Sequence, residues 1–330
     1  MTDKIQPLLS ICIPTYNRIN SLKSHLPLLL EIIKPSQEIN LIVCDNCSSD
    51  GTREYLIELQ RDYDFTYHVN IENLGFDRNY LKCIELATGE FTWVLGDDDI
   101  IDDRSIAQIT HILHNENVDY LIINGGQLQK SSKTILPRLK LDSNIELTDI
   151  NVLFKNFAWH ATWISACIFR TNPAKQYKSK KFITSGFTQV DLLLSIFGNS
   201  TRYMLLKQPI VYQSENVSEY SRSISAVLSL FSDSLYSISN NYLGEKLSQN
   251  TINSFMLGHY DNYGSFNFKA ALYYKIQGQI SFLYVIKNYS RLARITRHPS
   301  VWIYASLTPN YLIKIARKIW KTLENRKSAL

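Results

Sequence analysis

The feature that most constrains the fold of this chain is an alternation of strand-like and helix-like segments through its first 125 residues. Short apolar runs typical of buried strands occur at residues 8–13, 39–44, 65–69, 91–95 and 120–123. Segments with apolar residues at helical spacing occur between them, at residues 21–33, 51–61, 76–86 and 106–113. Because this alternation joins parallel strands through right-handed crossovers, we expect an α/β fold with a mostly parallel sheet and helices on both faces.

Acidic residues stand where two of these strands end. Asp45 follows the second strand, and Asp97, Asp98 and Asp99 follow the fourth strand after the turn residue Gly96. Ligands of such sheets bind beyond the carboxyl ends of the strands, and three adjacent carboxylates repel one another unless a cation lies beside them. Oxygen ligands suit Mg²⁺ or Mn²⁺, so the run predicts a divalent metal. The alternative is an acidic turn that caps the following helix.

Some common functional classes lack their patterns in this sequence. No G-x-G-x-x-G follows the first strand and no G-x-x-x-x-G-K-S/T occurs, so we expect neither a dinucleotide-binding oxidoreductase nor a P-loop enzyme. Cys44 and Cys47 form a C-x-x-C without the second pair that a zinc site needs. The five cysteines are scattered through predicted core and no signal segment begins the chain, which favours a reducing cytoplasm.

Four short motifs lie in the loops that follow the predicted strands. They are Ile-Pro-Thr-Tyr-Asn-Arg at 13–18, a segment beginning Val-Cys-Asp at 43–52, Asn-Leu-Gly-Phe-Asp-Arg-Asn at 73–79 and Leu-Gly-Asp-Asp-Asp at 95–99. In this order and spacing the chain resembles the family 2 glycosyltransferases over residues 8–200. The resemblance implies the Rossmann-like GT-A fold and a nucleotide-sugar donor whose base, ribose, diphosphate and sugar are gripped separately.

The resemblance also implies roles for individual residues in these motifs. Asp45 would accept a hydrogen bond from the nucleotide base, Tyr16 would offer a stacking face, and Arg18 would lie near phosphate. The residues expected at the donor are Pro14, Thr15, Tyr16, Arg18, Asp45, Asn73, Arg78, Asp97 and Asp98. For Arg78 the alternative is an ordinary cation on a helix surface.

A metal ion and a general base complete what the resemblance implies. Mn²⁺ or Mg²⁺ at Asp98 and Asp99 would stabilise charge on the leaving diphosphate, with Asp97 on the ribose or sugar. The commonest family pattern has an aspartate where Gly96 stands, so the division of the three acids between metal and sugar stays open. Inverting transfer needs one general base, and Asp191, near the start of a predicted helix, matches that position. Its alternative is an ordinary acid stabilised by the helix dipole.

The C-terminal sequence is strongly basic. From residue 285 onward the chain has ten Lys or Arg and one acid, Glu324, and beyond residue 309 an apolar face alternates with a basic face at helical spacing. This pattern is typical of a helix in a membrane interface. We therefore expect a GT-A domain at 1–214 and a helical region at 215–330, whose tail at about 285–330 binds an anionic membrane. A nucleic-acid contact and a helix packed on its own domain are the alternatives.

These expectations combine into one predicted function. The enzyme, bound peripherally to the cytoplasmic face of the inner membrane, would move a sugar onto an undecaprenyl-diphosphate-linked oligosaccharide, as in bacterial O-antigen or capsule assembly. The Leu-Gly-Asp-Asp-Asp form also resembles the abequosyltransferase-type branch, which implies CDP-abequose or another CDP-3,6-dideoxyhexose as donor. The alternatives are a UDP- or dTDP-hexose donor, a catalytically silent assembly partner and a sugar nucleotidyltransferase, although the last lacks its Gly-rich, basic first loop. No nucleic-acid partner is expected.

Overall fold

The chain divides into two compact units in a computed structural model. Unit 1 comprises residues 1–218 and 237–255, and unit 2 comprises residues 219–236 and 256–330. The residues that the structure describes are 6–101, 103–129, 134–178, 181, 184–199, 201–213, 223–263, 265–313 and 315. The domain boundary expected after residue 214 falls among residues 214–222, outside the described residues, and stays a prediction.

Ten strands form a sheet in the described part of unit 1. They are β1 (Leu9–Thr15), β2 (Ile39–Asp45), β3 (Thr66–Val69), β4 (Phe91–Val94), β5 (Asp99–Ile101), β6 (Tyr120–Gln129), β7 (Thr134–Pro137), β8 (Ile145–Leu147), β9 (Cys167–Arg170) and β10 (Tyr203–Gln213). Their order is β3-β2-β1-β4-β9-β6-β10-β5, with β7 beside β6 and β8 beside β10. The first four strands of this order are parallel, whereas β9 runs antiparallel to β4 and β6.

Helices separate the strands of the first half and make up most of the chain beyond residue 223. They are α1 (Ile19–Ile33), α2 (Thr52–Leu59), α3 (Phe76–Leu86), α4 (Asp103–Asn115), α5 (Ile150–Asn156), α6 (Thr171–Lys175), α7 (Thr188–Phe197), α8 (Ile224–Val227), α9 (Leu235–Asn240), α10 (Gln249–Tyr263), α11 (Phe268–Ile276), α12 (Phe282–Lys287), α13 (Tyr289–Ile295) and α14 (Ser300–Leu307). The expected α/β fold with a helical C-terminal region is confirmed.

Strand β1 is buried on both faces because its side chains alternate between two helical layers. Ile11 belongs to the apolar cluster that includes Leu22 and Leu26 of α1. Cys12 points to the opposite face, where its thiol lies 3.4 Å from the carbonyl oxygen of Cys83 in α3. Helices therefore cover both faces of the sheet, as the alternation of elements predicted.

Strand β1 continues two residues beyond the apolar run at residues 8–13 that predicted it. Pro14 lies inside the strand, opposite Cys44 of β2. Strand β4 pairs with β1 only as far as Cys12, so Pro14 has a neighbour on one side. A proline is tolerated there because the missing N–H faces no ladder partner. The extension carries Thr15 to the edge of the sheet.

Unit 2 is helical in its described residues. Trp302 of α14 is fully buried, stacks on Tyr274 of α11 with ring centroids 6.2 Å apart, and donates from its indole nitrogen to the Phe266 carbonyl at 3.2 Å. No helix in the described part of the chain is long and apolar enough to cross a membrane. The amphipathic helix expected beyond Pro309 lies mostly outside the described residues, because residues 314 and 316–330 are not among them.

Three arginines of the basic C-terminal sequence are paired with acids from earlier in the chain. Arg291 and Arg294 both pair with Asp233, and Arg297 pairs with Asp261 at 2.6 Å. Both acids precede residue 285, so a charge count that starts there misses them. The free positive charge of the tail is therefore smaller than its sequence indicates.

Candidate active site

The carboxyl ends of β1, β2 and β4 lie side by side and position the candidate site. Thr15 and Asp45 are paired across β1 and β2, and each is the last residue of its strand. Strand β4 lies on the other side of β1, so the acidic run that follows β4 begins beside the end of β1. The sheet thus brings together motifs that are far apart in the sequence, at the edge where ligands of such folds bind.

Thr15, Arg18 and the first two acids form a cluster of direct contacts. The Thr15 hydroxyl donates to Asp97 Oδ2 at 2.8 Å, and Arg18 Nε lies 3.2 Å from Asp97 Oδ1. The same guanidinium donates to Asp98. Burial raises the pKa of Asp97, and the charge of Arg18 opposes this shift. The Asp97 side chain is 10% exposed and that of Asp98 36%, so Asp98 is the carboxylate more open to a ligand.

Asp99 occupies a separate, buried position behind this cluster. Its Oδ2 accepts hydrogen bonds from the Trp163 indole nitrogen at 2.8 Å and from the Ser165 hydroxyl. Its Oδ1 is buried and has no hydrogen-bond partner among the described residues. Burial raises the pKa of Asp99 to about 7, against the opposing bond from Ser165. A buried carboxylate oxygen without a donor is costly, and a cation or a donor that reached it would relieve that cost.

Gly96 departs from the commonest family pattern for a steric reason. A Cβ atom added at Gly96 would lie 2.7 Å from Asp99 Oδ2 and 3.3 Å from Ser165 Oγ. The Gly96 amide also donates to that hydroxyl oxygen at 2.8 Å. An aspartate at this position would displace Asp99, so the glycine and the buried position of Asp99 belong together.

Asp45 is fully buried where β2 enters its loop. It accepts hydrogen bonds from the Ser48 amide at 3.0 Å and from the Tyr67 hydroxyl at 3.1 Å. Asn17 and Cys47, in the loops after β1 and β2, have positive φ angles of 52° and 65°. Non-glycine residues in this region are uncommon and are found at functional sites. Asp45 therefore braces the loop, and a nucleotide base would compete with these donors for its oxygens.

An asparagine network joins the second and third motifs. Asn46 donates to Asn73 at 2.8 Å and accepts from Asn70 at 3.0 Å, and Asn70 also donates to Asn79 at 2.8 Å. Asn73 thus supports the loop before α3 through a side-chain bond. Arg78 is exposed on α3 and forms no ion pair with any described residue, which leaves it free to meet a ligand.

Asp191 lies in the first turn of α7, where the helix was expected, and is fully buried. Its Oδ2 accepts from the Tyr177 hydroxyl at 2.5 Å, and its Oδ1 accepts from the Tyr242 hydroxyl at 2.8 Å. Burial raises the pKa of Tyr242, and the bond to Asp191 raises it further. Two phenols rather than a cation thus surround this carboxylate.

Two contacts fix the first turn of α7, one with α3 and one with the turn at Thr162. Asp77, buried in the first turn of α3, accepts from the amides of Gly186 at 2.8 Å and Thr188 at 3.1 Å. On the other side, Gln189 donates to the Thr162 carbonyl at 2.9 Å, in the turn that leads to the Asp99 pocket. Helix α7 therefore begins between α3 and the acidic run.

The structure brings only part of the predicted residue set into direct contact. Thr15, Arg18, Asp97 and Asp98 touch one another. The other predicted residues lie in the adjoining strand ends, loops and helices: Pro14, Tyr16, Asp45, Asn73, Arg78, Asp99 and Asp191. The ligand role of every residue in both groups stays a prediction.

Sequence reasoning missed the residues that hold the buried acids. Tyr67, Tyr177 and Tyr242 each donate to an aspartate from at least 14 positions away, and no local pattern marks such a tyrosine. Asp77 could have been found from the sequence, since it lies within the motif at 73–79. Its partners, Gly186 and Thr188, lie in no such motif. These residues follow from tertiary contacts alone.

The acidic run suits a metal that also takes ligands from a bound molecule. No group of three His, Cys, Asp or Glu side chains within the described ranges is arranged to hold a metal ion by itself. The open carboxylate of Asp98 and the unpartnered oxygen of Asp99 are the hard donors that Mg²⁺ and Mn²⁺ prefer. Cys44 is buried and Cys47 is exposed, and both are free thiols.

Comparison with protein families and curated proteins agrees with these motifs. The model of the family described as "Glycosyl transferase family 2" matches residues 10–187, more than half of the chain. Abequosyltransferase RfbV of Salmonella typhimurium is 38% identical over 120 residues, or 34% of this chain and 35% of that protein. The uncharacterized glycosyltransferase MG060 of Mycoplasma genitalium is 23% identical over 203 residues, or 51% of this chain and 68% of that protein. The match to RfbV thus spans about a third of that relative's length.

Solved structures share the fold at low sequence identity. TarS of S. aureus in complex with UDP-GlcNAc superimposes with a TM-score of 0.59 at 16% identity, covering 90% of each chain. The mannosyltransferase PcManGT from Pyrobaculum calidifontis, in complex with GDP-Man and Mn²⁺, gives a TM-score of 0.54 at 13% identity, covering 96% of this chain and 88% of that one. At these identities the likeness concerns the fold, and the expected fold class is confirmed.

Proposed function

The chain belongs to glycosyltransferase family 2, and from that membership we propose that it transfers a sugar from a nucleotide-sugar donor bound at the acidic edge of its sheet. The observation that carries this proposal is the contact cluster of Thr15, Arg18, Asp97 and Asp98. It combines carboxylates with a guanidinium at the carboxyl ends of parallel strands. Such a set can bind a diphosphate and its counter-ion in one orientation.

The proposed metal is Mn²⁺ or Mg²⁺, held by Asp98 and Asp99, with Asp97 on the ribose or sugar. The open carboxylate of Asp98 and the unpartnered Oδ1 of Asp99 support this assignment. When bound, the ion would stabilise negative charge on the leaving diphosphate. Arg18 pairs with Asp98 through Nη2 and with Asp97 through Nε, so a ligand at Asp98 would free Nη2 for phosphate oxygens while Asp97 holds the guanidinium in place.

The proposed general base is Asp191. Its support is the placement of the first turn of α7 between α3 and the acidic run, through Asp77 and Gln189. A base at this position would take the proton of the acceptor hydroxyl as that oxygen attacks the anomeric carbon. The carboxylate is buried, which keeps it apart from water that would otherwise compete as acceptor.

The proposed donor is a CDP-linked 3,6-dideoxyhexose such as CDP-abequose. Its support is the identity of 38% with an abequosyltransferase over the aligned part of the chain. A UDP- or dTDP-hexose is the alternative, and the two structural neighbours carry UDP-GlcNAc and GDP-Man. Pro14, Tyr16, Asp45, Asn73 and Arg78 would complete the donor site around base and ribose.

The proposed acceptor is an undecaprenyl-diphosphate-linked oligosaccharide at the cytoplasmic face of the inner membrane, reached through an anionic lipid surface. Support comes from unit 2, where Leu283 and Tyr304 are 77% and 67% exposed and Lys287 is exposed. The acids among its described residues, Asp233 and Asp261, are both paired with arginines. Exposed apolar and cationic side chains without an unpaired acid in that described part suit an anionic interface. The tail at 285–330 would add its basic residues.

Calorimetric titration with CDP, UDP, GDP and dTDP, each with and without Mn²⁺, tests the donor site. We expect one nucleotide to bind with a metal-dependent affinity that Asp98→Asn abolishes. The matched control is Asp64→Asn, the same charge change at an exposed acid outside the site, which should bind as the unsubstituted chain does. If none of the four nucleotides binds, the proposed function is wrong.

A further inference from the structure

Asp191 is enclosed too completely to meet an acceptor sugar directly. It has no exposed surface, and each of its two carboxylate oxygens accepts a tyrosine hydroxyl. A general base must lie within about 3 Å of the proton that it removes, directly or through one intermediate group. A proton that reaches Asp191 in this arrangement therefore passes through a neighbouring residue.

The two tyrosines that contact Asp191 differ in their access to solvent. Tyr242 is 7% exposed, and burial raises the pKa of its hydroxyl. Lys246, in the same segment, lies 5.5 Å from the centre of the Tyr242 ring and donates to the Leu194 carbonyl at 2.8 Å, at the other end of α7. Tyr242 and Lys246 thus hold α7 at two points along its length. Tyr177, in contrast, is half-buried.

Tyr177 contacts the first turn of α7 through its bond to Asp191. It follows α6, which packs against both α3 and α7. Asp77 ties the first turn of α3 to the first turn of α7, and the Tyr177 hydroxyl lies 2.5 Å from Asp191 in that turn. The Tyr177 hydroxyl therefore lies at the first turn of α7, which Asp77 of the motif at 73–79 also contacts.

We propose that Tyr177 is the catalytic residue that meets the acceptor hydroxyl and relays its proton to Asp191. This inference rests on the proposed function, in which Asp191 is the base. The acceptor oxygen forms a bond to the anomeric carbon while the bond from that carbon to the diphosphate breaks, and the electron pair of the broken bond goes to the diphosphate. The acceptor proton passes to Tyr177 Oη as the Tyr177 proton passes to Asp191 Oδ2. Asp191 becomes neutral, and Tyr177 is left unchanged.

The two tyrosines provide a matched pair of substitutions. Tyr177→Phe and Tyr242→Phe each remove one hydroxyl and one hydrogen bond to the same carboxylate. A purely structural role predicts similar effects of the two changes, or a larger effect at the more deeply buried Tyr242. A relay predicts a much larger loss of turnover at position 177 than at position 242.

The experiment measures steady-state release of nucleoside diphosphate from CDP-abequose, UDP-GlcNAc and GDP-Man, with undecaprenyl-diphosphate-linked oligosaccharide as acceptor. We expect Tyr177→Phe and Asp191→Asn to lower kcat on the order of 100-fold or more, the usual contribution of general base catalysis. Tyr242→Phe removes only a hydrogen bond to the base and should lower kcat by about 10-fold at most, the effect of roughly 1 kcal/mol for one hydrogen bond. The KM for the donor and the calorimetric nucleotide affinity should change little in all three variants.

Each other outcome identifies which statement fails. Equal losses in the two tyrosine variants, or a Tyr177→Phe enzyme with more than half of the original kcat, would overturn the relay and leave the proposed function standing. Full turnover by Asp191→Asn would remove both the base and the relay. If the unsubstituted chain releases no nucleotide from these three donors or from a dTDP-hexose, the proposed function itself fails, and the relay fails with it.

A second measurement covers the case in which Tyr177→Phe does not fold. Incorporation of 3-fluorotyrosine at position 177 keeps the hydroxyl and its size but makes the phenol more acidic. We expect it to change kcat and the solvent deuterium isotope effect on kcat by more than the same replacement at Tyr242 does. Identical behaviour at both positions would overturn the relay.

Discussion

Two acidic sites of unit 1, the pair Asp97 and Asp98 and the single Asp191, have different kinds of partner. Asp97 and Asp98 face the guanidinium of Arg18, which carries a fixed positive charge. Asp191 faces two phenol hydroxyls and no cation within hydrogen-bonding distance in the described part of the chain. A cation keeps a carboxylate ionised and can be exchanged for another cation, whereas hydroxyl donors hold a carboxylate in place without adding charge.

This difference separates binding from proton transfer. The Asp98 side chain is 36% exposed, so a charged ligand can reach it at a small cost in desolvation. Asp191 has no exposed surface, so it can serve only a proton that arrives through a neighbour. The first cluster suits a charged ligand and its metal, and the second suits a single proton, which is the division of work that sugar transfer requires.

The largest expected effect is at the open carboxylate. Asp98→Asn should lower kcat on the order of 100-fold or more, because the leaving diphosphate loses a ligand of its counter-ion. The fold should persist, since the side chain is partly exposed and its partner is a surface arginine. Nucleotide release measures the effect, with Asp64→Asn as control. A kcat of Asp98→Asn within 3-fold of the original would show that Asp97 and Asp98 do not bind the charged ligand.

The next effect concerns the cation that pairs with this cluster. Arg18→Met should weaken nucleoside diphosphate binding about 10- to 100-fold, since hydrogen bonds to charged groups contribute about 1.5–3 kcal/mol each. The same change should strengthen Mn²⁺ binding without nucleotide, because Asp97 and Asp98 lose a competing cation. Calorimetry measures both affinities, and Arg202→Met, at an exposed arginine elsewhere, is the control. Weaker binding of both the nucleoside diphosphate and Mn²⁺ would mean that Arg18 stabilises the loop conformation and does not contact phosphate.

The two acidic sites also differ in how much of each could be predicted from the sequence. Thr15, Arg18, Asp97 and Asp98 lie in short motifs at strand ends, and the alternation of strands and helices places such ends at one edge of a sheet. Their pairing was therefore predictable. Tyr177 and Tyr242 approach Asp191 from separate segments with no shared period, so only the packing of the chain brings them together.

The fold shows the same division between local and remote information. Strands β1 to β4 and helices α1 to α4 followed from residue periodicity, which is set within each segment. The strand-like run at residues 163–169 overlaps β9, but the antiparallel position of β9 between β4 and β6 was not predicted, because its four residues have remote partners. Strand β5 has three residues and was missed for the same reason. Short elements depend on their neighbours more than on their own sequence.

The next effect is expected at the buried Asp99, because burial raises the pKa of its carboxyl group. Its pKa is about 7 in the folded chain and near 3.9 when unfolded. Between these values the folded chain binds a proton that the unfolded chain lacks, so stability falls as pH rises, by about 2 kcal/mol from pH 5 to pH 7. Asp99→Asn should flatten this dependence. Thermal unfolding at both pH values, without metal, measures it, with Asp64→Asn as control. Equal slopes in the unsubstituted chain and Asp99→Asn would show that the pKa of Asp99 is not raised.

The smallest effect is expected at Tyr67, whose phenol holds Asp45 in the proposed donor site. The Tyr67 hydroxyl donates to Asp45 Oδ2, as Tyr177 does to Asp191, but here the proposed partner of the carboxylate is a nucleotide base. Tyr67→Phe removes a donor that competes with that base, so nucleoside diphosphate binding should tighten about 2- to 5-fold, within the roughly 1 kcal/mol of one hydrogen bond. Turnover at saturating donor should stay unchanged, in contrast to Tyr177→Phe. Calorimetry and nucleotide release measure the two quantities. A loss of turnover in Tyr67→Phe as large as that in Tyr177→Phe would mean that the two tyrosines have the same role. The division between a binding site and a proton-transfer site would then be wrong.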